Sequence, residues 1–209
     1  MKNQILKKQY EIDKVFLSQP WKVLTYLDIQ KLSKNRSKGY IYKEIKRLEK
    51  EKMIIAERIG KRTIIYSPIL NSASAQHYWG FIEEYSSWGF DKFPFSIIEN
   101  LRSKMPTPFF TFLVTGSYAR GTETKNSDID VVIISDFDKN KIYSELKYEV
   151  DTSILKVHLY VFTKQDFLDM LASKKENYGR EIARNKRVFF GGASYYSILS
   201  EAMIHGFKG

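Results

Sequence analysis

Residues 112–135 set the strongest constraint on what this chain can fold into. A β-branched, apolar run, Phe112-Leu113-Val114-Thr115, stops at Gly116-Ser117. A small loop with a second breaker, Gly121, follows. Asp128 and Asp130 then open another β-branched run that ends at Ser135. The pattern predicts strand, tight turn, short helix, loop, strand. Strand side chains alternate between faces, so Asp128 and Asp130 are expected to project together while Ile129 and Val131 point into a core. Two carboxylates on one face repel each other unless a cation sits between them, and hard oxygen ligands of this kind suit magnesium or manganese. In the turn, glycine lets a phosphate approach the backbone, Ser117 offers a hydroxyl, and amides at the start of a helix favour anions. A phosphate cradle beside a dicarboxylate metal site is what phosphoryl or nucleotidyl transfer needs.

Gly116-Ser117, ten residues, then Asp128-x-Asp130 resembles the signature of the DNA polymerase beta-like nucleotidyltransferase superfamily in its minimal form. The resemblance implies a nucleoside triphosphate substrate, phosphates bound by Gly116, Ser117 and Arg120, and Mg²⁺ or Mn²⁺ held by Asp128 and Asp130. Many enzymes of the superfamily carry a third carboxylate on the next strand. Here that strand reads Leu155-Lys156-Val157-His158-Leu159-Tyr160-Val161-Phe162, with Lys156, His158, Tyr160 and Phe162 on one face. His158 is the best match for the missing acid. Either its imidazole serves as general base or nitrogen ligand, or the third ligand is gone and the domain only binds nucleotide. Glu149 and Asp151, just before the strand, are substitutes if the register differs.

Charge separates the first third from the rest. Residues 1–70 hold 17 Lys/Arg against 7 Asp/Glu, a surplus equal to the +10 of the whole chain, so the remainder is neutral. A polyanionic partner of the N-terminal module is one reading and a lysine-rich solvated surface the other. A helical period runs over 4–17 (Ile5, Ile12, Val15, Phe16), a short extended piece over Val23–Thr25 and a short helix over Asp28–Lys34. Asn35 to Gly39 is a turn. The next helix, to Glu51, has an Ile41, Ile45, Leu48 stripe opposite Lys43, Lys46, Arg47 and Lys50. Met53–Glu57 and Thr63–Tyr66 form a hairpin with a cationic tip. This order resembles a winged helix-turn-helix over about residues 4–68. The resemblance implies double-stranded DNA as partner, with Arg36, Ser37, Lys38, Tyr40 and Lys43 facing bases or phosphates and Arg58, Lys61 and Arg62 placing the wing on the backbone.

Asn71 to Ser74 reads as a linker. Tyr78, Trp79, Phe81, Tyr85, Trp88, Phe90, Phe93 and Phe95 then crowd one stretch, which is expected to pack between domains or across a homodimer rather than to stack bases. Helices are expected over Phe95–Met105, within 136–146, to about Ala172, over Lys175–Asn185 and from Ser194 to Gly206, with strands over Ile154–Phe162 and Val188–Phe190. No cysteine is present, which excludes disulfides and thiolate zinc, and His77, His158 and His205 are scattered. No apolar run approaches membrane-helix length and no signal-peptide core is visible at the start, so no membrane partner and a cytoplasmic location are expected.

The expectation is therefore an α+β protein: a winged helix-turn-helix (1–70), an aromatic segment (71–95) and a nucleotidyltransferase-like domain with a small mixed sheet flanked by helices (96–209). Its expected reaction moves a nucleoside monophosphate to an acceptor hydroxyl on protein, RNA or a small molecule. The first alternative is a DNA-binding regulator whose degenerate domain binds nucleotide or dimerises. The second, by analogy, is an antitoxin that adenylylates a HEPN-type toxin.

Overall fold

The computed structural model describes residues 9–35, 37–90 and 93–209. The helix expected over 4–17 is described from Gln9: α1 (Gln9–Asp13) tightens into a 3₁₀ turn over Lys14–Leu17, and Ile5 lies outside the described residues. After β1 (Leu24–Thr25), α2 (Tyr26–Ser33) begins at Tyr26 rather than Asp28. Asp28 is its third residue and closes a capping box: its amide donates to Thr25 Oγ1 (3.2 Å) while its carboxylate accepts from the Thr25 amide (2.9 Å). Ser37 caps α3 (Lys38–Lys50), and the hairpin of β2 (Ile54–Ile59) and β3 (Thr63–Pro68) turns at Gly60, whose φ is +63°. The three strands form an antiparallel sheet in the order β1-β3-β2.

Ile41, Ile45 and Leu48 are buried, as their period requires. Arg47 departs from the pattern. Instead of joining the outer cationic face of α3, it turns into a seam against α1 and α4 (Ala73–Trp88). There it donates to Asp13 Oδ2 (3.2 Å) and Tyr78 Oη (2.7 Å) and pairs with Glu44 and Glu51. Tyr78 Oη donates in turn to Asp13 Oδ2 (2.5 Å). Asp13 is 1% exposed, and burial pushes its carboxyl up to about 7, with Tyr78 and Arg47 pulling the other way and Glu44 adding to the rise. A carboxyl raised on folding adds stability that is complete below its unfolded pKa and is lost as pH climbs through the folded one. Asp13→Asn is therefore expected to gain on the wild type as pH rises from about 4 to about 7, by an amount on the order of a few kcal/mol. Thermal midpoints of both proteins across that range check this, and a gap that ignores pH refutes it.

The linker expected at Asn71–Ser74 is cut short. Ser72 Oγ accepts from the Ala75 amide, and α4 takes Ser74 into its first turn. The aromatic stretch is largely inward: Trp79 and Ile82 are fully buried, with Phe16 6.0 Å from the Trp79 ring. Beyond it come α5 (Phe95–Ser103), β4 (Thr111–Thr115), α6 (Gly116–Arg120), β5 (Ile129–Ile134) and α7 (Lys139–Asp151). The chain ends with β6 (Val157–Phe162), α8 (Lys164–Ala172), α9 (Tyr178–Arg184), β7 (Arg187–Phe190) and α10 (Gly192–Ile204). β6 starts later than expected because Ile154 is fully exposed, and α9 starts at Tyr178 because Asn177 caps it (3.1 Å to the Arg180 amide).

The second sheet has the order β6-β5-β4-β7; β5 and β6 are parallel and the other pairs antiparallel. Its two faces close two cores. Phe112, Val114, Ile129, Val131 and Ile133 meet Ile98 of α5 and Ile142 and Leu146 of α7. Leu113, Val132, Ile134 and Val188 meet Trp79, Phe167, Tyr195 and Leu199, and this core continues through Ile12, Phe16, Ile41, Ile45 and Leu48. The N-terminal helices thus share a core with the second sheet. α4 and α10 cross backbone to backbone: a Cβ at Gly192 would lie 2.6 Å from the Gly80 carbonyl oxygen, and one at Gly80 would collide with Gly192 and Ala193. Among the described residues no helix is long and apolar enough to cross a membrane.

Candidate active site

Strand polarity brings three chain segments to one end of the sheet. β5 and β6 run parallel, so both start where antiparallel β4 finishes, and Thr115 lies opposite Asp130, which lies opposite His158. Asp128, Asp130, Val132 and Ile134 share a face by alternation, and so do His158, Tyr160 and Phe162. Ile129 and Val131 are buried on the other face, as the β period required.

Gly116 ends β4 with φ at +71°, a conformation that favours glycine, and a Cβ there would strike the Asp130 carboxylate. That missing side chain lets the Asp130 acid sit over the turn. Asn185 Nδ2 donates to the Gly116 carbonyl (3.0 Å), and Thr115 Oγ1 donates to the Asn185 carbonyl (2.6 Å). The Gly121 and Thr122 amides close on the Ser117 carbonyl, with Gly121 left-handed at φ +70°. Ser127 Oγ accepts from the Thr124 amide (2.8 Å) and steadies the loop ahead of Asp128. Ser117 is half-buried and Arg120 exposed.

His158 lies between the two acids. Its Nδ1 is 3.3 Å from Asp130 Oδ1 and its Nε2 is 3.6 Å from Asp128 Oδ2. The imidazole thus bridges the pair, with one ring nitrogen turned toward each carboxylate. Lys156 Nζ reaches Asp128 Oδ2 at 3.2 Å and offsets part of the local negative charge. The side chains of Asp128, Asp130 and His158 are 33%, 26% and 40% exposed, open enough for a solute to reach all three. Glu149 and Asp151 belong to the last turn of α7, where Asp151 pairs with Lys147 (2.8 Å). The strand position opposite Asp130 is His158.

Tyr178 joins this face from α9. Its ring lies 4.8 Å from Tyr160, and burial, reinforced by the charge of Asp130 and by Tyr160, pushes its hydroxyl well above the usual tyrosine range. The sequence offered a signal for Lys156, which shares the strand face of His158. It offered none for Asn185 or Tyr178, which topology brings in from α9 and the turn after it.

Asp128 and Asp130 supply hard oxygens, and the absence of a side chain at Gly116 leaves the Asp130 carboxylate close over the turn. That donor set fits a small divalent cation, which keeps waters and takes phosphate oxygens beside one or two carboxylates. Among the described residues no group of three acidic, histidine or cysteine side chains is placed to hold a metal ion by itself.

In the N-terminal module, Ser37 Oγ accepts from the Tyr40 amide (3.4 Å) at the start of α3. Lys38 and Lys43 are exposed, Tyr40 is half-buried against the core, and Arg58, Lys61 and Arg62 are exposed on the hairpin. Arg36 lies outside the described residues.

No curated protein matches the chain. A crystal structure of a toxin-antitoxin with AMP-PNP is similar over 54% of this chain and 87% of its own, with 16% identity and a TM-score of 0.38. Residues 96–188, which carry Gly116, Ser117, Arg120, Asp128, Asp130 and His158, match the model of the nucleotidyltransferase domain family.

Proposed function

We propose that the protein is a nucleotidyltransferase that moves a nucleoside monophosphate from a nucleoside triphosphate to an acceptor hydroxyl, releasing pyrophosphate. The observation that carries this reading is the convergence of Asp128, Asp130 and His158 over the Gly116 turn, within the segment that matches the nucleotidyltransferase family. Gly116, whose missing side chain leaves room for the Asp130 carboxylate over the turn, and Ser117 hold the phosphates, and Arg120 offsets the remaining charge. Asp128 and Asp130 hold Mg²⁺ or Mn²⁺, which when bound polarises the α-phosphate and neutralises developing charge. His158 Nε2 takes the proton of the acceptor hydroxyl, while the Nδ1 hydrogen bond to Asp130 keeps the ring in the required tautomer. Tyr178 and Tyr160 line the same face and limit water around Asp130. Incubation of the purified protein with a divalent cation and each α-labelled triphosphate tests this. Label transferred to the protein, a partner protein, RNA or a small-molecule hydroxyl supports it, and no metal-dependent binding of any triphosphate defeats it.

The N-terminal module in this reading is a winged helix that binds double-stranded DNA. What favours it is the charge surplus of residues 1–70 together with an α3 start and hairpin tip that leave Lys38, Lys43, Arg58, Lys61 and Arg62 in solvent. Phosphate contacts release counterions, so removing them flattens the salt dependence. The combined Arg58→Ala, Lys61→Ala, Arg62→Ala variant is expected to weaken duplex binding about tenfold or more near 0.1 M salt. It should also reduce the slope of log K against log salt by about 2–3. Fluorescence anisotropy across a salt series measures both, and an unchanged slope removes the hairpin from the interface.

A further inference from the structure

A cavity of about 350 Å³ lies where the N-terminal segment, α4, α6 and the turn from α9 into β7 meet. Val15 and Leu17 form an apolar wall, and Leu32 lies at its exposed side. Across from them stand Lys186 and Arg187, with Glu83 as the acid of the lining. The charges there do not balance. The Lys186 side chain is 4% exposed and its ammonium is 3.7 Å from Glu83. The Glu83 carboxylate is already shared, since it accepts from Tyr196 Oη at 2.7 Å. The Arg187 guanidinium lies 3.8 Å over the Phe90 ring and its buried Nε finds no hydrogen-bond partner among the described residues. The charges of Glu83 and Glu123 act on it from beyond ion-pair contact, and burial outweighs them, holding it below the usual arginine range. The other two cations of the lining are satisfied elsewhere: Lys14 by Glu11 (2.6 Å) and Arg184 by both oxygens of Glu176 (2.8 and 3.0 Å). A desolvated cation without a full counter-charge is costly, and an entering anion removes that cost.

We propose that this cavity binds a phosphate monoester of mononucleotide size, with Lys186 and Arg187 on the phosphate and Val15, Leu17 and Leu32 against the uncharged part. The volume falls in the range of small-ligand sites. None of Gly116, Ser117, Arg120, Asp128, Asp130 and His158 lines it, so the site is separate from the candidate active site. The two communicate through Asn185, which lines the cavity and hydrogen-bonds Gly116. An occupant therefore touches the N-terminal module on one side and is one residue from the phosphate turn on the other.

Calorimetric titration of the full chain in EDTA, with AMP as probe, tests the assignment without the metal chemistry. AMP is expected to bind at one site, and Lys186→Met and Arg187→Gln each to weaken it about tenfold or more. The double variant Asp128→Asn, Asp130→Asn is expected to bind AMP as the wild type does. A short 5′-phosphorylated oligonucleotide distinguishes the source: affinity equal to that of AMP assigns the end of a nucleic acid, weaker affinity a free nucleotide. Leu32→Trp narrows the opening and leaves every cation in place, so it guards against misfolding of the buried variants and should lower AMP affinity to a similar extent. No AMP binding, binding indifferent to all three cavity variants, or binding lost in the double aspartate variant overturns the proposal.

Discussion

Asp128→Asn and Asp130→Asn are each expected to lower nucleotidyl transfer by about 10³-fold or more while leaving the fold intact. Asparagine keeps the shape and an accepting oxygen, so the hydrogen bond from His158 Nδ1 to position 130 survives in form. What disappears is one unit of negative charge at the place where the proposed function seats a divalent cation beside a triphosphate. Both side chains are partly exposed and lie outside the two hydrophobic cores, so the thermal midpoint should change little. The Lys156 contact to Asp128 is exposed and of little consequence for stability. Transfer of α-label and calorimetric triphosphate binding in Mg²⁺ are the measurements. Variants that melt as the wild type does and still transfer within a few-fold of it would remove the carboxylates from the chemistry.

Gly80→Ala is expected to destabilise the protein by about 2 kcal/mol or more, although alanine is ordinarily the better helix residue by about 1 kcal/mol. The decision lies in what the new methyl group meets. At Gly80 it meets the backbone of Gly192 and Ala193, which has no rotamer to yield, and the crossing of α4 and α10 has to open. Gly39, on α3, is the control: a Cβ there has nothing within 4 Å, so Gly39→Ala should be neutral or mildly stabilising. For a chain of this size the Gly80 variant should melt about 4–8 °C below the wild type. A Gly80→Ala protein as stable as its parent would mean that the two helices do not meet backbone to backbone.

The strand period made much of the candidate site legible. Alternation alone separates Asp128 and Asp130 from Ile129 and Val131, and places His158 with Tyr160 and Phe162; the two cores divide along the same lines. Helix caps were harder to read: Asn35 to Gly39 reads as a turn, yet Ser37 within it already caps α3. They were missed where the cap stands inside a run of small polar residues: Asn71 to Ser74 reads as a linker, yet Ser72 starts a long helix. Arg47 was misplaced because a helical wheel cannot know that Asp13 and Tyr78 wait on other elements. Asn185, Tyr178 and the Gly80–Gly192 crossing depend on segments that are distant in the chain, and local pattern carries no information about such meetings.

The core that runs from Ile12 through Trp79 to Phe207 has a practical corollary. The N-terminal third is not a detachable cassette. Severing the chain near Leu70 would strip Trp79 and Ile82 of their cover and leave Glu44, Arg47 and Tyr78 on opposite sides of the cut. Any chimera that grafts a different leading module onto this sheet has to rebuild that seam residue by residue before its two halves can solidify together.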